Sequence, residues 1–283
     1  MSRALFIGRS VMDVTALVED FPGPDGKTKA LSNDVIPGGS ALNAAVTFAH
    51  LGGRAALATS LGAPGPMKTM LTSDLKDRNV TVHDICNDPD YRIPLSTVVS
   101  TRSLGSRMIV NGAGDECEKV HSQEDLILTE GYGLIQIDQY ERHFFAAHAD
   151  ALRAFDGPII LDGGGWKDWS PDFLRLADIP IVSDVFCPEG PRAFANMCEE
   201  LGIHRWAMTR GHAGVVWHDQ GRQGEIPALE VDVVDSLGAG DIFHGAFCHA
   251  YLEIGSFIDA LNIANQIAGK SCTHAGTRSW MDA

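Results

Sequence analysis

Short apolar runs ending at Gly, Pro or Asp recur along this chain, and each is followed by a stretch with the length of a helix. Residues 4–7, 57–61, 134–137, 158–162, 179–182, 205–208 and 231–234 have the size and bounding residues of buried strands. Between them, residues 41–51 close on Gly52-Gly53, residues 191–201 on Gly202 and residues 242–253 on Gly255. Residues 67–78, 143–155 and 257–272 also read as helices. Strands alternating with helices predict an α/β fold with a mostly parallel central sheet covered on both faces.

Two segments break this rhythm. Residues 14–36 are polar and contain the turn sequence Pro22-Gly23-Pro24-Asp25-Gly26, and residues 92–111 hold strand-like pieces, 97–101 and 107–110, hinged at Leu104-Gly105-Ser106. Together they predict a small β lid outside the main sheet. No internal repeat, linker or charge block marks a boundary, so residues 1–283 read as one domain carrying that lid.

Composition removes several functions. With 45% apolar residues, a disordered or fibrous chain is excluded. Lys and Arg number 22 against 37 Asp and Glu, a net charge of −15 that would repel nucleic acid and anionic lipid surfaces. The longest uncharged window, residues 35–53, is broken by Pro37 and four glycines, and Arg9 and Asp13 interrupt the N-terminus before a secretory core can form. No membrane span is expected, and the expected location is cytoplasmic. The six cysteines form no C-x-x-C pair, which fits a reducing compartment, and the closest histidine pairs, His143 with His148 and His244 with His249, are five apart rather than three or four.

The chemistry concentrates in two motifs. In the first, residues 231–234 run into Asp235-Ser236-Leu237-Gly238-Ala239-Gly240-Asp241, after which Ile242, Phe243, Ala246, Phe247 and Ala250 recur at helical spacing. This reads as strand, glycine turn, helix, with the backbone N–H groups of Gly238, Ala239 and Gly240 bare at a helix N-terminus that favours an anion. Asp241 in that first turn would serve as a simple cap, or as a general base if the amides hold a phosphoryl group. In the second, Gly38-Gly39 allows close backbone approach to a ligand, and Asn43 offers both a donor and an acceptor to vicinal hydroxyls.

Asp235-Ser236-Leu237-Gly238-Ala239-Gly240-Asp241 resembles the D-[ST]-x-G-A-G-D signature of the ribokinase-like (PfkB) carbohydrate kinases. Residues 37–52, with Gly38, Gly39, Asn43, Leu51 and Gly52, resemble that family's N-terminal G-G-x-x-x-N…L-G signature, about 190 residues upstream. The resemblance implies a three-layer ribokinase-like sandwich with a small β lid. It implies that Gly238, Ala239 and Gly240 form an anion hole and that Asp241 is the catalytic base. It implies sugar contacts from Asp13, Gly38, Gly39 and Asn43, with Arg107 in the lid as a further substrate or phosphate contact. Thr209-Arg210-Gly211-His212-Ala213-Gly214 is similar to the family's turn over the nucleotide, which assigns Thr209, Gly211 and Gly214 to ATP. Asn265 and Ala268, in a helix similar to the family's adenine-side helix, would line the base pocket, although core packing explains them equally.

Departures are specific. The family's N-x-x-E motif, tied to Mg²⁺, is replaced by Val182-Ser183-Asp184-Val185-Phe186-Cys187-Pro188-Glu189, leaving Asp184 and Glu189 as substitute metal residues. A monovalent cation is a further candidate cofactor. Leu237, residues 266–270 and the hairpin at 105–110 look most like the ketohexokinase and fructokinase-like branch. The expected activity is therefore ATP- and Mg²⁺-dependent phosphorylation of a hydroxyl on a small sugar, with a ketose favoured. The alternatives are a nucleoside kinase of the same family and a non-catalytic sugar or nucleotide sensor. Homodimerisation through the lid is expected on the same resemblance.

Two imitations are rejected. Gly26-Lys27-Thr28 lacks the upstream glycine of a P-loop, since position 21 is Phe21, and a dinucleotide fingerprint starting at Gly238 fails at Phe243.

Overall fold

The computed structural model describes residues 2–103, 106–112, 116–122 and 131–283. The chain begins with β1 (Arg3–Ile7), β2 (Val11–Val18) and β3 (Ser32–Gly38), then α1 (Ser40–His50), β4 (Arg54–Thr59), α2 (Pro66–Asp77) and β5 (Thr81–Asp84). There follow β6 (Leu95–Thr101), β7 (Arg107–Val110), β8 (Leu134–Ile137), α3 (Arg142–Ala147), α4 (Ala149–Arg153), β9 (Ile159–Gly163), α5 (Ser170–Leu176), β10 (Ile179–Ser183) and α6 (Pro191–Glu200). The chain finishes with β11 (Arg205–Thr209), the hairpin β12 (Val215–Asp219) and β13 (Arg222–Ile226), α7 (Ala239–Ile254) and α8 (Phe257–Ser271).

The main sheet runs in the order β13-β12-β11-β10-β9-β8-β1-β4-β5. All pairings from β11 through β5 are parallel, and only β12 and β13 add antiparallel edges. Side chains alternate across β1, so Ala4 and Phe6 enter one core while Leu5 and Ile7 enter the other. The first core packs against α1, α2, α7 and α8, and the second against α3, α4, α5 and α6. This is the expected three-layer α/β arrangement, and its fully buried strands explain the near-continuous apolar runs.

The two excursions form a second sheet, ordered β3-β2-β6-β7. The hinge residues Leu104 and Gly105 lie outside the described residues. Thr101 is buried, whereas all of β7 is exposed, including Met108, Ile109 and Val110.

Three expectations are corrected. Residues 231–234 form no strand: Val233 and Val234 are exposed, and the amides of Val234 and Asp235 both donate to Cys272 O at the end of α8. Residues 143–155 divide into α3 and α4 at His148, whose Nδ1 meets Phe144 O at 2.9 Å. The β12–β13 hairpin, β5 and α5 appear where no element was expected.

The chain leaves β1 toward β4 and β5 on one side and later resumes at β8 on the other. The carboxyl ends of β1 and β8 therefore flank a topological switch point, the place where ligands bind in open α/β sheets.

Candidate active site

At the start of α7 the chain turns through Gly238, whose φ of 71° is left-handed and suits glycine. No side chain caps this N-terminus, and a Cβ added at Gly240 would meet nothing within 4 Å. The turn is open, and a 16-residue helix points its unpaired donors into it. Ala239 N is partly engaged, 3.3 Å from Ser236 O. Asp235 braces the turn from behind, accepting Leu237 N at 2.9 Å through Oδ1 and Gly276 N at 2.9 Å through Oδ2.

The two motifs meet here. Asn43, in the first turn of α1, donates through Nδ2 to Asp241 Oδ2 at 2.7 Å, joining residues 198 positions apart. Asn43 is 4% exposed, and its buried Oδ1 has no hydrogen-bond partner. Burial and then the Asp162 carboxylate push the Asp241 carboxyl above its ordinary range, against hydrogen bonds from Asn43 and Ser40 and the charge of His244.

Asp13 on β2 stands opposite Ile36, one register step from Pro37 and two from Gly38 on β3. A Cβ at Gly38 would fall 1.9 Å from Asp13 Oδ2, and a Cβ at Gly39, where φ is 113°, would fall 2.2 Å from Arg9 O. Gly39 is fixed by backbone crowding and a left-handed φ, whereas a side chain at Gly38 would displace the Asp13 carboxylate. Burial, with the Asp241 carboxylate second, raises Asp13 to about 6, while Arg278 pulls it down. Arg278 belongs to the C-terminal segment, whose Thr277 Cγ2 fills the space beside Gly238 and whose guanidinium reaches Pro37 O at 3.5 Å.

Several polar residues at this end of the sheet escaped sequence reasoning. Asp138 directly follows β8, accepting Arg9 N at 3.1 Å and Tyr140 N at 2.8 Å, and it occupies the space a side chain at Gly8 would need. Glu141 accepts Ser60 N at 3.1 Å and Ser60 Oγ at 2.6 Å. Burial raises Asp138 well above the carboxylate range and takes Glu141 to about 7. Their signal was a carboxylate at or just past the end of an apolar strand run, which also marks Asp162 on β9.

The residues expected on the nucleotide side are less concentrated. Thr209 closes β11, with Oγ1 3.4 Å from Val182 O, and Gly211 and Gly214 shape the next turn at φ of 53° and 78°. Gly214 is fixed by crowding, since its Cβ would lie 2.0 Å from Ile226 O, whereas Gly211 faces open space. Asn265 donates to Pro227 O at 2.9 Å, tying the segment after β13 to α8, and Ala268 packs in the first core. Arg107 Nη1 donates to Ser236 Oγ at 2.9 Å, which brings β7 onto the signature turn.

Asp184 and Glu189 are exposed. The Asp184 amide donates to Thr209 O at 3.0 Å, placing Asp184 beside the Thr209–Gly214 turn, and Glu189 Oε2 lies 3.6 Å from the Cys187 thiol. Among the described residues no three His, Cys, Asp or Glu side chains gather as a metal cage. No described helix is long and apolar enough to cross a membrane.

A family model for "pfkB family carbohydrate kinase" matches residues 1–157 and 188–283. Deoxyribokinase of Salmonella typhi is 23% identical over 295 residues, covering 96% of this chain and 93% of that protein. Ketohexokinase of Mus musculus is 25% identical over 287 residues, covering 95% of each. The structure of ribokinase from Giardia lamblia has 17% identity and a TM-score of 0.83 and covers 100% of this chain and 98% of its own, a likeness of fold. The ketohexokinase branch is not singled out, because the deoxyribokinase stands equally near.

Proposed function

Because the chain belongs to the pfkB family of carbohydrate kinases, we propose that it phosphorylates a hydroxyl of a small free sugar with Asp241 as general base. The observation that carries this reading is the 2.7 Å hydrogen bond from Asn43 to Asp241, which draws the sugar-side motif and the phosphoryl-side motif into one cleft. ATP with Mg²⁺ supplies the phosphoryl group and offsets its charge when bound.

The chain's own residues do the rest. Asn43 fixes one oxygen of the Asp241 carboxylate, and its buried Oδ1, unpartnered without ligand, would accept from a sugar hydroxyl once side chains around it shift. Asp13 provides a further acceptor suited to a polyhydroxy ligand, and Asp138 holds the backbone at Arg9 and Tyr140. Asp241 takes the proton of the attacking hydroxyl, and its raised pKa matches base work near neutral pH. The Gly238–Gly240 turn and the α7 dipole stabilise charge on the transferred group. Thr209, Gly211 and Gly214 border the nucleotide, and Asp184 lies beside that turn, where it would hold water around a nucleotide-bound Mg²⁺.

The acceptor is a ketose, a pentose or a deoxypentose, the ketose favoured by the sequence and ribose and deoxyribose by the relatives. A nucleoside acceptor is disfavoured because β2, β3, β6 and β7 carry no aromatic residue on which a base would stack.

The test is ADP release with ATP and Mg²⁺ across ketoses, aldopentoses, deoxypentoses and nucleosides, with Asp241→Asn as control. We expect turnover with one sugar class and a loss of about two to four decades in kcat in the variant, with sugar binding retained. Near-normal turnover by Asp241→Asn would reject the base assignment, and sugar binding without turnover would identify a sensor.

A further inference from the structure

His244 sits three residues beyond Asp241 in α7 and is 4% exposed. Its Nδ1 lies 2.8 Å from Gly240 O in the preceding turn, and its Nε2 lies 3.1 Å from Ile181 O on β10. A carbonyl oxygen only accepts, and a neutral imidazole has one N–H to give. With a single proton, one ring nitrogen would turn its lone pair on a carbonyl oxygen in a buried setting and leave both unsatisfied.

The first contact alone has an ordinary explanation, since polar helix side chains often bond the carbonyl four residues back. The second contact does not share it. A third observation is independent of both. Asp162 Oδ2, on β9, is buried without a hydrogen-bond partner and lies 3.5 Å from His244 Nδ1. A buried carboxylate lacking a partner is costly, whereas one facing an imidazolium is compensated.

We propose that His244 is held as an imidazolium by Gly240 O, Ile181 O and Asp162, and that it is a positioning residue which keeps Asp241 ionised from behind the phosphoryl turn. The role toward Asp241 rests on the reading of Asp241 as the base, but the charge on His244 does not. The charged groups acting around Asp241 are the Asp162 carboxylate, His244, the Asp13 carboxylate and the buried Arg278 guanidinium, and neither variant below alters Asp13 or Arg278. Asp162 in turn acts on Asp138, Lys167 and Cys248. The imidazolium offsets Asp162, whose negative charge would otherwise drive Asp241 toward its protonated form. Its positive charge also adds to the α7 dipole beneath the open turn.

Two measurements test this. The first is nitrogen NMR of the unliganded protein at pH 7 with ¹⁵N-labelled histidine, His244 being identified by couplings across its hydrogen bonds to the Gly240 and Ile181 carbonyls. Two protonated ring nitrogens are expected, and one unprotonated nitrogen overturns the proposal. This arm needs no variant.

The second is the kcat–pH profile of His244→Asn and Asp162→Asn with the accepted sugar, ATP and Mg²⁺. Removing the cation moves the acidic limb to higher pH, by about one unit, and removing the anion moves it to lower pH. A purely structural role would not separate the two variants by sign. Displacement in the same direction, or an unmoved limb in His244→Asn, overturns the positioning role. Retained turnover in Asp241→Asn would remove the base assignment while the nitrogen spectrum still decided the charge on His244.

Discussion

Gly38 illustrates how a residue without a side chain makes room for a neighbouring carboxylate. The motif placed it near the ligand as a point of close backbone approach. The structure adds the reason: the space its Cβ would take belongs to Asp13 Oδ2, 1.9 Å away. Gly38→Ala must displace the Asp13 carboxylate while leaving Asp241 and its Asn43 contact in place. The expected outcome is a rise of about tenfold or more in the sugar KM with a smaller change in kcat, read from initial rates. Asn43 was equally legible as a donor and acceptor, but the sequence could not say that its donor is spent on Asp241. Asp138, Asp162 and Arg278 went unread, because a single acidic or basic residue after a strand or a helix carries no signature of where the fold will bring it.

At the scale of elements, buried strands of the parallel sheet were legible and exposed or paired edges were not. Residues 4–7, 134–137, 179–182 and 205–208 are strands because burial on both faces demands apolar side chains throughout. Residues 231–234 have the same composition, yet no neighbouring strand offers them a ladder, and α8 takes their amides instead. The β12–β13 hairpin was missed because its turn, Gln220-Gly221, departs from the Asn-Gly signal while adopting positive φ at both residues, 50° and 85°. Glutamine is strained there and asparagine is not. Gln220→Asn should raise stability by about 0.5–1 kcal/mol, measured as a higher urea midpoint at unchanged slope.

For the molecule as a whole, net charge and buried acids act in the same direction. Burial raises Glu141 to about 7 and Asp13 to about 6, and also raises Asp138 well above its ordinary range, while the unfolded chain titrates these groups near 4. Between those limits the folded state binds more protons, so stability falls as pH rises through the window from about 4 to 7. The excess of acidic residues adds repulsion over the same range. Below it the opposite group takes over. Asp219, despite its burial, is pulled below its ordinary range by hydrogen bonds from Arg205 and Arg222, and that contribution is lost on acidification. The unliganded protein should therefore melt at a higher temperature at pH 5 to 5.5 than at pH 7.5, with Glu141 alone contributing about 2–3 kcal/mol and Glu141→Gln flattening the trend. Thermal scans across that range check it. A flat profile would show that these carboxylates are solvated.

The sequence by itself determined the α/β alternation, the small second sheet, the two motifs and the family they resemble, because each is written in residues close together in the chain: apolar runs of fixed period, glycines at turns, an acid in a first helical turn. Only the tertiary structure decided what surrounds the Gly238–Asp241 turn. Asn43 with Asp241, His244 with Ile181 and Asp162, Arg107 with Ser236, and Arg278 with Pro37 join residues brought together by sheet order and helix crossing. The ionisation of a buried carboxylate depends on those distant neighbours and on the water they exclude, and neither quantity exists until the chain has folded.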